Sequence, residues 1–371
     1  MNPKQLITGA ALIALIFAGC SKKETAETKP ESNKVRVGYI GLTCEASIFS
    51  AVENGYFKDE GLDVELVKCG WQTYKDSLAL GTYDITQHLV MYFLKPIEQG
   101  LDVRFLGGVH IGCLRVQAPV NGPINKPEDL KGKRIGIPGM GTPPFVFANR
   151  ALKRHGIDGS KEIEWKVFPV GELGLALDKG EVDAVATVEP IGSKLLTAGK
   201  VKNIIDQATD VPYKDEYCCE VVANGKWIKN NPKAAAAATR AILRGAKFVH
   251  LNPAYAAKMS VEKKYLASDP QMNAVALSKL YYLPSISKAE SSVRTAAEEM
   301  QTIDMLAPTT NPAELAKTAF LHLDGVTDEW IEKVEVKKVE GGQVTSQIAE
   351  DGVKTAATSV ESCCAMPIAT N

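Results

Sequence analysis

A chain of 371 residues, 45% apolar and 23% charged, has ordinary globular composition and room for roughly two or three hydrophobic cores. A formal net charge of −1 supplies no global field that would gather nucleic acid or an acidic membrane. Aromatic residues make up only 7%, and no stripe of interleaved basic and aromatic side chains offers a nucleic-acid surface.

The chain opens on an export signal. Lys4 gives a positive start, and "LITGAALIALIFAG" is an apolar stretch too short for an ordinary membrane span. It ends in "FAGC", which resembles a bacterial lipobox with Phe17 where Leu is usual. That implies lipid on Cys20, as the first mature residue, with a plain secretory peptide as the alternative. Residues 21–33, "SKKETAETKPESN", carry no large apolar side chain and form a flexible tether. An extracytoplasmic protein anchored to a bacterial membrane, in the periplasm or at the cell surface, is expected.

From residue 34 the pattern alternates strand and helix. "KVRVGYIG" is a strand, and "CEASIFSAVENG" a helix with Ala46, Ile48, Phe49 and Val52 along one side and Gly55 beyond it. "LDVELVKC", "YDITQH" and "DVRFLGGVH" are strands, with a short helix from a Thr73 cap to Gly81. The three prolines of "APVNGPINKPEDL" mark a domain crossing. "GKRIGIPG" is the next strand. Thr142 then caps a helix that opens on Pro143 and Pro144 and closes with Lys153, Arg154 and His155 before Gly156. "IEWKVFPV" is a strand, "GELGLALDKG" a helix, and "GEVDAVATVEP" a strand halted by Glu189 and Pro190. "VKNIIDQ" and "YCCEVVAN" lead back out. Asn231 and Pro232 start a long helix, helices continue to about residue 320, and the chain after Val326 stays unassigned. Strands alternating with helices argue for an α/β protein with largely parallel sheets.

Six stretches in order, "ENGYFKDEGLDVELV", "SLALGTYDI", "EQGLDVRFLGG", "PEDLKGKRIGIPGMGT", "ALDKGEVDAVATVEP" and "NNPKAAAAATRAI", carry a family likeness over about residues 34–325. The chain resembles the solute-binding proteins of ABC importers, in the nitrate/sulfonate/taurine and thiamine-precursor (pyrimidine) group. The resemblance implies a two-lobed periplasmic-binding-protein-like fold, type II-like, with a ligand cleft between the lobes. The first lobe would span 34–117 plus 225–330 and the second 118–224, with 331–371 an extension of uncertain structure. It also implies a monomer that hands a small-molecule solute to permease and ATPase subunits, without catalysis. The alternative on the same fold is an enzyme like the pyrimidine-precursor synthases of thiamine biosynthesis, which His88 and the paired cysteines keep open.

In open α/β sheets the ligand crevice lies at the carboxyl ends of the strands. That rule selects Thr43, Cys44 and Glu45; Trp71, Gln72 and Thr73; Thr86, Gln87 and His88; Met140, Gly141 and Thr142; and Glu189. Thr43 and Thr142 precede helix starts, where free N–H groups favour anions. Glu189 is either a solvated strand end or a carboxylate facing an amine, an amidine or a cation. Trp71 either packs a lobe or stacks on a flat ligand. Thr73 is equally a helix cap. "GMGTPP" lacks the ending of a phosphate loop, and His-Glu-x-x-His, Cys-x-x-Cys and Gly-x-Ser-x-Gly are absent, so no cofactor is expected.

Of the eight cysteines, seven remain beyond Cys20: Cys44, Cys69, Cys113, Cys218, Cys219, Cys363 and Cys364. An exported protein can pair them as disulfides, though an odd number leaves one over and adjacent cysteines rarely bridge each other. The other reading is positional. Cys44, Cys69, His88 and Cys113 fall at predicted strand ends, with His110 nearby, and would suit a soft metal or a metal-bearing cofactor.

Overall fold

The structure is a computed structural model and describes residues 32–71 and 73–339. Cys20, most of the tether, Gln72, Cys363 and Cys364 lie outside the described residues. Among the described residues no helix is long and apolar enough to cross a membrane.

Ten strands form two five-stranded sheets. The first contains β1 (Lys34–Tyr39), β2 (Asp63–Lys68), β3 (Ile85–Leu89), β4 (Val103–His110) and β10 (Cys219–Asn224), in the order β2-β1-β3-β10-β4. The second contains β5 (Leu114–Pro119), β6 (Arg134–Ile137), β7 (Glu164–Val167), β8 (Ala184–Val188) and β9 (Val201–Asp206), in the order β7-β6-β8-β5-β9. The two orders match. In each, the fourth strand runs antiparallel to both neighbours and arrives from the other sheet. The reason is directional: a chain leaving the carboxyl end of one sheet enters the other at its carboxyl edge and must run backwards through it. The expectation of largely parallel sheets therefore holds for β1–β3 and β6–β8 but not for β5 and β10.

This also moves the lobe boundaries. The expected change at 117/118 falls inside β5, which pairs with β8 and β9, and β10 lies in the first sheet rather than the second. The sheets change over residues 111–113 and 207–218. A run such as "YCCEVVAN" shows that it is a strand, but not which sheet it joins.

Each lobe repeats one device. Arg36 of β1 makes a fork on Asp84, with Nε–Oδ2 3.1 Å and Nη2–Oδ1 2.6 Å, and Asp84 also accepts from the Arg36 backbone. Arg134 of β6 does the same to Asp183, at 3.1 and 2.8 Å. Both aspartates belong to the parallel motifs "GTYD" and "GEVD", so each pair ties the start of a first strand to the turn before its neighbour.

The helix Ala46–Glu53 packs its buried side against the long helix Pro232–Leu251. The approach is so close that a Cβ at Gly245 would collide with the Ser47 carbonyl oxygen. The helix Pro143–Arg154 begins after Thr142 as expected, but the hydroxyl donates to Gly139 O at 2.6 Å and accepts no bond from the helix. Pro144, at the second helical position, has no N–H to offer, which removes one of the two usual partners of a cap, and the hydroxyl turns to Gly139 instead of the other.

Between the lobes, Arg150 of that helix is fully buried. It donates from both terminal nitrogens to Glu216 at 2.7 Å, and from Nε to Glu299 at 2.8 Å. Glu216 sits on the returning crossing and Glu299 on the first-lobe helix Ser287–Thr302, so one guanidinium joins three elements. Arg154 also pairs with Glu299.

Candidate functional site

The carboxyl ends of β1, β3 and β4 and the start of β10 share one edge. The ends of β6, β8 and β9 and the start of β5 share the edge of the other sheet, and both crossings run between these edges. Eight buried side-chain polar atoms without a hydrogen-bond partner belong to this junction: both nitrogens of His88, His110 Nε2, Arg115 Nη2, Gln207 Nε2, the Tyr213 hydroxyl and both oxygens of Glu220. Among the described residues the remaining one is Ser50 Oγ. Each such atom costs about 1–3 kcal/mol when left unpaired, so their concentration where the two edges and the crossings meet marks a place built to meet polar groups.

On the first lobe the loop after β1 is drawn round a carboxylate. Glu45 accepts from the backbone N–H groups of Ile40, Gly41 and Leu42, each at 2.8 Å. Burial, reinforced by the Cys44 thiol, still raises its pKa to about 8 against those three donors. Gly41 has φ +104, a conformation that leaves its N–H free to turn inward. Thr43 donates to Asn273 Oδ1 at 2.7 Å, and Gln87 is held between Ser47 Oγ and the Cys44 carbonyl.

His88 is enclosed by rings. Trp71 meets it edge-on with centroids 5.3 Å apart, Tyr74 and Tyr92 lie tilted at 4.8 and 5.0 Å, and Phe93 closes the fourth side. Burial lowers its pKa to about 4, so it is a neutral ring. Glu220 stands opposite His88 across the β3–β10 ladder, and burial pushes its carboxyl pKa well up.

On the second lobe, Arg115 in β5 lies between two carboxylates. Nη1 pairs with Glu189, Nε reaches Asp206 Oδ2 at 3.0 Å, and Nη2 has no partner. Burial works against its charge, but Glu189 and Asp206 outweigh it and raise the pKa. Glu189 is fully buried and also accepts from the backbone and hydroxyl of Ser193, at 3.1 and 2.7 Å. The solvated-strand-end reading of Glu189 is therefore overturned, and its oxygens serve Arg115 and Ser193 first. Gln207, next to Asp206, accepts from Leu114 N at 3.2 Å and leaves its amide nitrogen unpaired.

At the junction itself four potential ligands converge. One ligand atom from each of Cys44, His110, Cys113 and Cys219 lies within 4.8 Å of every other, and all four residues are buried. Cys113 Sγ is 3.9 Å from Cys219 Sγ and 4.0 Å from His110 Nδ1, and Cys218 Sγ is 3.4 Å from the same nitrogen. Burial would hold the His110 pKa down, but the Cys218 and Cys44 sulfurs lift it to about 10. The His110 ring rests on Tyr282 at 4.8 Å, and the Tyr282 hydroxyl donates to the Cys44 carbonyl at 2.7 Å. The five cysteines among the described residues are free thiols.

Of the expected metal candidates, Cys44 and Cys113 enter this cluster, while Cys69 and His88 do not. Cys69 is half-buried and donates to Val67 O at 3.5 Å, and His88 belongs to the aromatic box. Thr73 is exposed, its hydroxyl 3.5 Å from Gly70 O. Thr86 is buried and donates to Gly38 O at 2.7 Å, so its hydroxyl serves the sheet. Met140 and Gly141 are exposed and Thr142 is half-buried on the loop after β6. The expected residues do not include Arg115, at the amino end of β5, which a rule for carboxyl strand ends passes over, or Gln207, which directly follows the carboxyl end of β9 and is reached by that rule only once β9 is known to end at the junction. His110 and Cys219 were visible as residue types, and the signal that unites them is the β4–β10 pairing, in which they stand opposite each other.

Comparison with known proteins agrees with this architecture. A nitrate/nitrite binding protein NrtA of Nostoc sp. is 23% identical over 237 residues, covering 58% of this chain and 53% of that protein. A formylaminopyrimidine-binding protein of Halalkalibacterium halodurans is 24% identical over 263 residues, covering 65% of this chain and 74% of that protein. The chain thus spans about half the length of the nitrate/nitrite-binding relatives that it matches. Among solved structures, the periplasmic nitrate-binding protein NrtA from Synechocystis PCC 6803 has a TM-score of 0.66 at 16% identity, covering 89% of this chain and 90% of that one. The periplasmic aliphatic sulphonate binding protein SsuA from Escherichia coli gives 0.65 at 15%, covering 85% and 98%. The fold is the two-lobed α/β fold of periplasmic binding proteins, and these relatives and neighbours are binding proteins. The family model described as NMT1/THI5 like matches residues 44–256, more than half of the sequence, and the chain belongs to that family.

Proposed function

We propose that the protein is an extracytoplasmic solute-binding protein that encloses a small polar molecule between its lobes and passes it to an ABC importer, anchored to the membrane by lipid on Cys20. The observation that carries the reading is the row of unpartnered polar atoms along the junction edge. Arg115 Nη2 and Gln207 Nε2 are the donors we assign to the solute, with Glu189 and Asp206 fixing the guanidinium in place. Two donors from the second lobe suit an oxygen-rich or anionic group on the solute. On the first lobe the neutral His88 ring adds two unpartnered nitrogens, framed by the flat rings of Trp71, Tyr74 and Tyr92. Closing two lobes over such a molecule turns occupancy into shape, which a permease can read.

The test is chemical. Protein purified without denaturation is unfolded and the released small molecules are identified by mass spectrometry, then added back to emptied protein. One equivalent bound per chain and recovered unchanged is expected. Conversion of the solute beyond one equivalent, or no solute binding at the junction, would overturn the reading.

A further inference from the structure

We infer that Cys44, His110, Cys113 and Cys219 form a binding site for a thiophilic d10 cation, zinc(II) or copper(I), that pins both lobe crossings to the first lobe. This goes beyond the solute reading and does not rest on it.

The donor set is three thiols and one imidazole, the chemistry that selects soft cations over magnesium or calcium. The spacing fits. Metal–sulfur bonds of about 2.3 Å in a tetrahedron put the sulfurs about 3.8 Å apart, and Cys113 Sγ and Cys219 Sγ stand 3.9 Å apart. All donor atoms lie within 4.8 Å of one another, so closing the tetrahedron draws the widest pair together by about 1 Å. The His110 ring is fully buried and turns Nδ1 toward the thiols, the orientation a ligating imidazole needs.

The four come from four places in the chain. Cys44 lies in the turn that follows β1, His110 ends β4, Cys113 lies on the outgoing crossing, and Cys219 begins β10 after the returning one. A cation there joins the cleft loop of the first lobe to both strands on which the lobes turn. Cys218 Sγ is 3.4 Å from His110 Nδ1, so without the cation its thiol takes the place on Nδ1 that the cation would occupy. Because all four side chains are buried, the ion enters while the lobes are parted or as the chain folds.

The competing chemistry is a Cys113–Cys219 disulfide, in which each sulfur loses a hydrogen to an oxidant such as a thiol oxidase of the export compartment. The experiment separates the two. The full chain, with serine at Cys20, Cys363 and Cys364 to remove thiols outside the described residues, is kept reduced without oxygen. It is titrated with cobalt(II) as a spectroscopic probe, then with zinc(II) and, separately, copper(I). One ion per chain is expected, with thiolate-to-cobalt charge-transfer absorption of the intensity of three sulfur bonds and the d–d bands of a tetrahedral site. Zinc or copper should displace the cobalt, and the order of displacement identifies the ion preferred. Cys113→Ser and Cys219→Ser should each weaken binding by at least about 100-fold, and Cys69→Ser should leave it unchanged. If a serine variant does not fold, the sulfur count from the cobalt spectrum of the parent chain decides. No stoichiometric ion, a spectrum without thiolate bonds, or the Cys113–Cys219 disulfide in protein isolated without reductant would each overturn the site.

Discussion

Replacing Arg150 with methionine keeps the length of a side chain that is fully buried but removes the charge that faces Glu216 and Glu299. Glu299 retains Arg154, whereas Glu216 loses its bidentate partner inside the protein. Breaking a buried pair from one side typically costs about 3–5 kcal/mol. A second limit comes from protonation, because the stranded carboxylate can take up a proton. Moving Glu216 from an ordinary pKa of 4.5 to the neutral acid at pH 7 costs about 3.4 kcal/mol, and at pH 5 only about 0.8 kcal/mol. Burial already raises the Glu216 pKa in the intact protein against the pull of Arg150, and removing Arg150 raises it further, so the variant's folded state binds more protons than the parent's and its deficit shrinks as pH falls from 7 toward 4.5. Urea unfolding followed by tryptophan fluorescence, for both proteins at pH 7 and pH 5, should show a deficit of up to about 3 kcal/mol that shrinks on acidification by up to about 2.5 kcal/mol, the parent's own raised Glu216 making the change smaller. Adding Glu216→Gln to Arg150→Met should recover much of the loss at pH 7. An equal deficit at both pH values, with no rescue by the second substitution, would refute the account of Arg150 as the charge that keeps Glu216 ionised between the lobes.

Gln207→Ala should lower solute affinity about 10-fold by removing the amide donor, and should also destabilise the empty protein by about 1–3 kcal/mol because Leu114 N loses its acceptor, as read by titration calorimetry and urea unfolding; unchanged affinity would remove Gln207 from the solute's partners. Gly245→Ala should destabilise by about 1–3 kcal/mol although alanine ordinarily favours a helix, because its methyl group meets the Ser47 carbonyl; a gain in urea midpoint would contradict that packing. Asp183→Asn should cost no more than about 1 kcal/mol, since the pair with Arg134 is about one-third exposed, and the difference from the parent should start to shrink below the ordinary aspartate pKa of 3.8 and be lost only as pH falls through the lower native pKa that hydrogen bonding from Arg134 produces. Cys20→Ser should abolish incorporation of labelled fatty acid and release the protein from the membrane fraction; unchanged labelling would remove the anchor from the proposal.

The α/β class was legible because the local signals agree. Period-two runs such as "VRV" and "VEL", the stop at Gly55 and the proline pair at 143 and 144 each act over a few residues. The doubled motifs "GTYD" and "GEVD" even foreshadow the repeated Arg–Asp forks, although their arginines lie 48 and 49 residues away. Sheet membership of β5 and β10 was not legible, because it is decided by pairing between distant segments. The same holds for the site. Glu189 was picked out as a strand end, but its partner Arg115 lies 74 residues earlier and meets it only through the antiparallel β5–β8 register. Cys113 and Cys219 are 106 residues apart, and their standard spacing as ligands exists in space and not along the chain. Buried polar atoms without partners have no sequence signature, so Gln207 could not be distinguished from any other glutamine after a strand.

In the proposed function both lobes hold the solute at the junction. Hydrogen–deuterium exchange on the protein with and without the solute released from it tests this most directly. Occupancy should slow exchange in the crossings at 111–113 and 207–218, in the Ile40–Leu42 loop and at the end of β8 together. Protection confined to one lobe, or none at either crossing, would contradict it.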